Sequence, residues 1–361
     1  MTTQDASVVV SGLGVISSCG AGTAALADAL RTGTRRFTPV DRRYHRRFGA
    51  AAGARLAATV DAASVGAWLP PARARRMSRP SRFAVAAAIE ATAAREAASQ
   101  CDWSRAAVCL GTCYGPSAYT EGLLRQVHDD GPQAASPVLF IESVANAPAA
   151  QVALRLGCRG TNVTVTQREA SALLAVAEAV DVVAAGEAPR ALAGSVEELD
   201  PLLHSVLDRY GALARPLEGG DERALPFARE RTGFVLGEGA AVVVVEPTEA
   251  APRRLAGIRG CIAAFDPRAP QTSWSDDPAP LVEALRRGLE RSACPAESID
   301  LIVSGASGSR PGDALEAAVL RAVWPRRTPP VLTPKAITGE FGGATLAAAV
   351  RPARERIWAP D

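Results

Sequence analysis

The segment VTVTQREASALLAVAEAV, residues 163–180, places a carboxylate where a strand turns into a helix. Its β-branched first half predicts a strand and its apolar second half predicts a helix, so Glu169 lies at the turn between them. Backbone N–H groups and the helix dipole stabilise negative charge at such a position. A thiolate there would be an activated nucleophile, whereas a carboxylate indicates only an acidic residue at a helix start. Ser171 follows closely, but the absence of a GxSxG elbow argues against a serine nucleophile.

Two glycine-rich segments could suggest nucleotide-binding loops. SGLGVISSCG contains Gly12 and Gly14 after a predicted strand, but Ser17 takes the third glycine position of a dinucleotide fingerprint. We therefore interpret it as a packing turn. SGASGSRPGD, residues 304–313, lacks the Gly-Lys-Ser/Thr ending of a phosphate loop and is interpreted as a connector. We expect the chain to bind no cofactor directly.

The charge balance excludes several partners. The chain has 361 residues and a formal charge of +2, from 40 basic and 38 acidic residues, which favours neither nucleic acid nor a membrane surface. Arginine-rich segments at 35–47 and 73–76 are interpreted as solvated surface, with a docking patch for an acidic partner as the alternative. The three histidines (His45, His128 and His204) are too scattered for a zinc site.

The cysteines and the apolar runs indicate a compartment. Seven cysteines form no CxxC pair, and their odd number is typical of a reduced, cytoplasmic protein. The N-terminus lacks the pattern of a signal peptide, and no segment has 18 uninterrupted apolar residues. We therefore expect a cytoplasmic protein without a membrane span.

Strands alternate with helices along the chain, which predicts a helix-covered, mostly parallel sheet. We expect strands at 8–14, 106–112, 161–166 and 240–246, the last one central because it is entirely apolar. Helices are expected from Ser81 (as its cap), over 171–185 with Gly186 closing it, from Leu281, and after Gly312 with Asp313 and Glu316 as a capping box. A strand, glycine turn and helix recur around 166 and 305. The interpretation is two related halves sharing one core, with domains at 1–245 and 246–361.

Several motifs in order resemble one family. TNVTVTQREASALLAVAEAVDVVAAGEAPRALAGSVEELDP is similar to the active-site segment of β-ketoacyl synthases of the thiolase superfamily, RTGFVLGEGAAVVVVE to their GFVxGEGAGxxVLE signature, and TPKAITGE to their TKSMTGH motif. The resemblance implies an α/β, thiolase-like fold with two pseudo-repeated halves in α/β/α/β/α layers. Family members usually continue to a closing hairpin that includes GFGGTN. Here we expect a shortened C-terminal half, and interpret EFGGAT as a coincidental match.

The resemblance also assigns the catalytic positions. The family's nucleophilic cysteine falls on Glu169, its first histidine on Gly305 and its second on Glu340, while its lysine is retained as Lys335. Condensation needs a thiolate to accept the acyl chain and two imidazoles to handle the malonyl thioester and its enolate. An ionised Glu169 would repel both the malonyl carboxylate and the enolate. The implication is a chain that does not condense on its own.

A synthase homologue without a nucleophile resembles the chain-length factor of bacterial type II polyketide synthases. Such subunits commonly carry Gln at the cysteine position, so Glu169 departs from their pattern. The resemblance implies pairing with an active ketosynthase, which takes malonyl units from the phosphopantetheine of an acyl carrier protein. The acyl chain would enter a tunnel at the interface, whose candidate lining residues are Tyr114, Tyr119, Leu123, Phe140 and Ser195. Each of these is equally well explained as an ordinary core or interface residue.

Two other functions remain open. A malonyl-carrier-protein decarboxylase that generates the starter unit would have to retain imidazoles, which Gly305 and Glu340 do not supply. A homodimeric pseudoenzyme could instead scaffold a pathway complex. The unusual replacements also suggest a divergent branch that serves reduced or polyene chains.

Overall fold

The computed structural model of the protein describes residues 6–44, 53–98, 101–217 and 222–350. His45 and part of the arginine-rich segment 35–47 lie outside these ranges. The strands in chain order are β1 Val8–Ser17, β2 Gly20–Ala21, β3 Thr38–Pro39, β4 Leu56–Ala57, β5 Ala107–Gly111, β6 Asn162–Val165, β7 Ala191–Glu197, β8 Gly239–Pro247, β9 Ala256–Ile258, β10 Ile302–Val303 and β11 Val331–Leu332. The four predicted strands are therefore confirmed.

Helices surround these strands. They are α1 Gly22–Thr32, α2 Ala62–Gly66, α3 Pro71–Ala74, α4 Arg79–Ala98, α5 Ser117–Asp130, α6 Pro137–Ser143, α7 Ala147–Leu156, α8 Ser171–Ala184, α9 Pro201–Arg209, α10 Ala279–Arg291, α11 Arg310–Val323, α12 Lys335–Thr338 and α13 Gly342–Val350. Gly186 follows α8 with φ +73°, so the predicted left-handed closure is confirmed.

The main sheet has seven strands in the order β2-β1-β8-β7-β5-β6, with β9 also paired to β1. β5 runs parallel to β6 and β7, but β8 runs antiparallel to both β1 and β7. The prediction of a mostly parallel sheet is therefore wrong around β8. Glu197 at the end of β7 pairs with Gly239 at the start of β8, so the connection returns at the same end of the sheet instead of crossing over.

Helices cover both faces of this sheet. One face packs against α4 and α7, and the opposite face packs against α8 and α13. β8 is buried between these layers, as its apolar run predicted. Beyond them, α13 also contacts β10, which pairs in parallel with β11. Helices α10 and α11 pack against each other around Val282, Leu315 and Val319. The predicted α/β layering is confirmed, and EFGGAT begins α13, so it is not a hairpin.

The predicted packing turn at Gly12 and Gly14 is a continuous strand. Both glycines lie inside β1, where a Cβ atom at Gly12 would be 2.1 Å from the Ala91 carbonyl oxygen and one at Gly14 would be 2.0 Å from that of Ala87. Helix α4 therefore approaches β1 more closely than any side chain allows. Close packing therefore explains why glycine occupies these two positions. The prediction of a turn here was wrong, because β1 continues to Ser17.

Two predicted helix caps are also corrected. Helix α4 begins before Ser81, whose backbone N–H donates to Ser78 Oγ at 3.4 Å, so Ser78 is the cap. Helix α11 begins at Arg310 and is capped by Ser309, which leaves Asp313 and Glu316 free for other contacts. Both errors arise because the helices extend upstream of their first apolar residues.

Within the described residues, no single helix has both the length and the apolar character to cross a bilayer. A pair of helices in the described ranges, α6 and α7, meets these criteria when taken together, and the two are bent by 97° relative to each other.

Candidate functional site

Glu169 lies in a short 3-10 turn, Arg168–Ala170, between β6 and α8. Ser171 fixes this turn, because its hydroxyl accepts from the Gln167 backbone N–H at 2.8 Å and donates to the Arg168 carbonyl at 2.7 Å. Arg168 has φ +49°, in the left-handed region that non-glycine residues rarely adopt. The structure therefore places Glu169 at the predicted strand-to-helix turn, on a tightly held elbow.

The Glu169 carboxylate does not cap the helix that follows. Ala170 takes the capping position of α8 and makes no side-chain hydrogen bond there. Within the part of the chain that the structure describes, Glu169 forms no ion pair, and its side chain is exposed. Glu169 therefore precedes α8 by two residues, within the 3-10 turn, and its part in stabilising the helix start stays a prediction.

Glu169 and Glu340 line the same small cavity. The other lining residues are Cys113, Tyr114, Arg168, Glu197, Leu236, Gly237, Phe341 and Gly342. Its free volume is about 20 Å³, which is room for one water molecule. Three of the lining side chains are carboxylic acids. The cavity is thus small and lined by three carboxyl groups and by Arg168.

The retained lysine is paired with one of these carboxylates. Lys335 Nζ lies 2.5 Å from Glu340 Oε1, and the two side chains are only 3% and 12% exposed. The backbone of Glu340 is also fixed, since its N–H donates to the Val235 carbonyl at 2.7 Å. A buried ion pair of this kind breaks only at high cost. Lys335 and Glu340, which the resemblance aligned with the family's lysine and second histidine, therefore form a buried ion pair.

Gly305, which the resemblance aligned with the family's first histidine, lies apart from Glu169 and Glu340. It follows β10, is exposed and does not line the cavity. A Cβ atom at Gly305 would lie 3.8 Å from Glu316 Oε2, and Ser304 Oγ donates to Glu316 Oε1 at 2.6 Å. Burial raises the pKa of Glu316, and nearby Lys335 opposes that rise. Sequence reasoning did not place Glu316 beside Gly305, because the spacing of Glu316 from Asp313 was interpreted as a capping box.

Glu197 is a second residue that sequence reasoning missed. Burial raises the pKa of its carboxyl group to about 8, against backbone hydrogen bonds from Cys113 and Tyr114 that lower it. Thr112 Oγ1 also donates to it at 3.2 Å. Its position at the end of β7 offered no signal in the sequence beyond an acidic residue after an apolar strand.

Cys113 is the thiol of this cavity. Burial raises its pKa well above its usual range, and the neighbouring carboxylates Glu197 and Glu169 raise it further. Since the thiolate is the nucleophilic form, Cys113 is held in its unreactive state.

The predicted tunnel residues fall into two groups. Tyr114 lines the cavity, and buried Ser195 lies beside it, with its Oγ 3.5 Å from a Cβ built at Gly342. The remaining three lie on two packed helices, with Tyr119 and Leu123 on α5 and Phe140 on α6. The structure thus brings two candidates to the cavity and three to a neighbouring surface. Their role as tunnel lining stays a prediction.

An apolar surface lies exposed next to this site. It comprises Val138, Phe140 and Ile141 of α6 and Val144, which follows that helix; we call it the apolar face. Strand β6 forms the edge of the main sheet beyond β5. Exposed apolar patches and open sheet edges are typical of surfaces that bind another chain.

Within the described residues, no three His, Cys, Asp or Glu side chains are grouped to hold a metal ion.

The layered architecture and the elbow between β6 and α8 define a thiolase-like ketosynthase fold. Comparison with known families gives the assignment directly. Residues 5–251 match the family model described as "Beta-ketoacyl synthase, N-terminal domain". Residues 255–352 match the one described as "Beta-ketoacyl synthase, C-terminal domain". The chain belongs to the β-ketoacyl synthase family.

Its relatives include polyketide synthase proteins. The "Putative polyketide beta-ketoacyl synthase 1" of Streptomyces virginiae is 30% identical over 93% of this chain and 82% of the relative. The "Actinorhodin polyketide putative beta-ketoacyl synthase 2" of Streptomyces coelicolor is 28% identical over 98% of this chain and 87% of the relative. Among solved structures, "The ishigamide ketosynthase/chain length factor" matches with a TM-score of 0.79 and 28% identity, covering 95% of this chain and 84% of that one.

Proposed function

We propose that the chain is a non-catalytic, ketosynthase-like subunit that pairs with an active ketosynthase and shapes the tunnel that limits polyketide chain length. The observation that carries this proposal is the state of the nucleophile position. An exposed Glu169 stands there beside a small cavity of about 20 Å³ and a buried Lys335–Glu340 ion pair.

The chemistry of condensation is not supplied by these side chains. No thiolate is available at the elbow, and neither Gly305 nor Glu340 offers an imidazole to polarise a thioester. A malonyl group is far larger than one water molecule and carries its own negative charge. The small volume of the cavity therefore opposes its binding.

Pairing with a second subunit is supported by the apolar face and by the open edge of β6. Phe140 and Ile141 are 59% and 61% exposed on one short helix, an arrangement that is costly in water unless another surface covers it. The name of the ishigamide relative pairs a ketosynthase with a chain length factor. We infer a heterodimer in which this chain supplies one side of the interface.

In that heterodimer the partner holds the acyl carrier protein and forms the bonds, in the cytoplasm. The growing chain extends toward Tyr114, Tyr119, Leu123, Phe140 and Ser195, and chain length is set by excluded volume. Overfilling a closed pocket costs about 1 to 3 kcal/mol for each misfit, which is enough to stop extension at a defined length.

Co-expression with a catalytic ketosynthase and its carrier protein tests this function. Tyr119→Ala should lengthen the product or broaden its size distribution, because it removes a ring from the predicted tunnel. Tyr210→Ala is the matched control, since Tyr210 is 82% exposed at the end of α9. If every variant at the five lining positions gave the wild-type product in altered yield only, the tunnel function would be refuted. A stable homodimer that ignored the ketosynthase would favour a scaffold instead.

A further inference from the structure

Helix α6 has an unusual distribution of side chains. Its apolar residues Val138, Phe140 and Ile141 are exposed, and Glu142 is its one buried residue, with 1% exposure. An amphipathic surface helix normally buries its apolar residues and exposes its charges. Half-buried Leu139 packs beside Gly122 of α5, and Thr120 Oγ1 donates to the Ser143 carbonyl at 3.0 Å. The carboxylate is therefore the one fully buried side chain among the contacts that attach this helix to the protein.

Glu142 is held by donors from two other helices. Its Oε2 accepts from the Ser78 backbone N–H and from Ser81 Oγ, both at 2.8 Å. Its Oε1 accepts from Gln151 Nε2 at 2.6 Å. Hydrogen bonds to an ionised acceptor are stronger and more directional than neutral ones. Three of them fix both the position and the rotation of α6.

The anchoring elements are rigid. Ser78 caps α4, a 20-residue helix that packs across the main sheet, so Glu142 lies at the positive end of that helix dipole. Gln151 lies on α7, whose inner side packs into the same core. A carboxylate bound at this point aligns α6 with the core of the subunit.

We propose that Glu142 is the positioning residue that orients α6, so that the apolar face fits a partner ketosynthase. This inference rests on the proposed function, because it assigns the partner of that face. Phe140 belongs both to the apolar face and to the predicted tunnel lining. The same anchor therefore sets the position of a residue at which chain length is predicted to be controlled.

Two measurements test this role. Glu142→Ala should weaken heterodimer formation with the partner ketosynthase by about tenfold or more, since charge-assisted hydrogen bonds are lost. In the isolated subunit, amide hydrogen exchange over 137–144 should become about tenfold faster. Glu142→Gln keeps the size and most of the hydrogen bonds, and it should recover part of both effects. Ser81→Ala removes one hydrogen-bond donor to Glu142, so it should weaken heterodimer formation and speed the exchange of 137–144 by less than Glu142→Ala does.

A buried carboxylate far from α6 serves as the control. Glu246 on β8 accepts from Ser11 Oγ at 2.5 Å and from Arg190 Nε at 3.0 Å. Glu246→Gln should lower the unfolding midpoint while the folded subunit keeps its affinity. The proposal would be overturned if Glu142→Ala left both the affinity for the ketosynthase and the amide exchange of 137–144 unchanged. It would also be overturned if Glu142→Ala lowered the unfolding midpoint while the folded subunit kept its affinity, as expected for Glu246→Gln. If the wild-type subunit bound no ketosynthase, the pairing function would fail, and the exchange of 137–144 would still decide the role of Glu142.

Discussion

The Lys335–Glu340 pair gives the sharpest quantitative prediction. Glu340→Leu leaves the ammonium group of Lys335 buried at 3% exposure without its nearest counter-charge. Breaking a buried pair from one side costs about 3 to 5 kcal/mol. The Glu340 side chain is 12% exposed, so the lower end of this range applies. We therefore expect a decrease of about 3 kcal/mol in the free energy of unfolding.

The double variant Lys335→Met/Glu340→Leu removes both charges and keeps the volumes. It should return to within about 1 kcal/mol of the wild type, because an apolar pair of similar size replaces an ion pair at little cost. Urea unfolding followed by circular dichroism measures both quantities. With a slope of about 3 kcal/mol per M, Glu340→Leu should lower the midpoint by about 1 M.

Additivity is the result that would refute this reasoning. If the double variant were as unstable as the sum of the two single variants, Lys335 and Glu340 would not stabilise each other. A loss below about 1 kcal/mol for Glu340→Leu would also contradict a structural pair, since exposed pairs are worth that little. Catalytic groups are commonly kept at a cost to stability, so a large stabilising contribution is the signature of a site that has changed role.

Three further outcomes follow from the same structure. Gly14→Val should destabilise the protein by about 3 kcal/mol in urea unfolding, because helix α4 leaves no room for its Cβ, whereas Gly66→Ala, with open space around it, should not. The raised pKa of Glu197, about 8 against an ordinary 4.5, means that the folded protein keeps a proton that the unfolded chain releases. Stability should therefore fall as pH rises from about 5 to 8, and Glu197→Gln should flatten that fall in midpoints measured at both ends. Phe140→Asp should abolish co-purification with the ketosynthase while the circular dichroism spectrum stays unchanged.

Local sequence signals predicted much of the fold. Apolar runs gave β1, β5, β6 and β8, and the glycine after α8 gave its end. The antiparallel direction of β8 was not predictable in the same way, since it depends on where the connection from 198 to 238 returns. Helix starts were misplaced at Ser81 and Asp313 because the caps lie upstream of the apolar pattern.

The candidate site was predicted only in part. The resemblance singled out Glu169 and Glu340, because both lie within long matching motifs, and the structure finds them lining one cavity. The carboxylate of Glu197 and the thiol of Cys113 reach that cavity from β7 and from the end of β5. No spacing in the sequence connects those strands to the elbow. The pairing of Lys335 with Glu340 likewise depends on how α12 ends, which only the folded chain shows.

The most direct test of the central claim is intact mass analysis of the purified chain after incubation with malonyl- and acyl-loaded carrier protein, in the absence of any other synthase subunit. The expected result is an unchanged mass for the chain, no acetyl carrier protein and no condensed product, because the elbow carries a carboxylate and the thiol of Cys113 is protonated. An acyl adduct on the chain, or release of CO₂ from the malonyl group in its sole presence, would contradict the account.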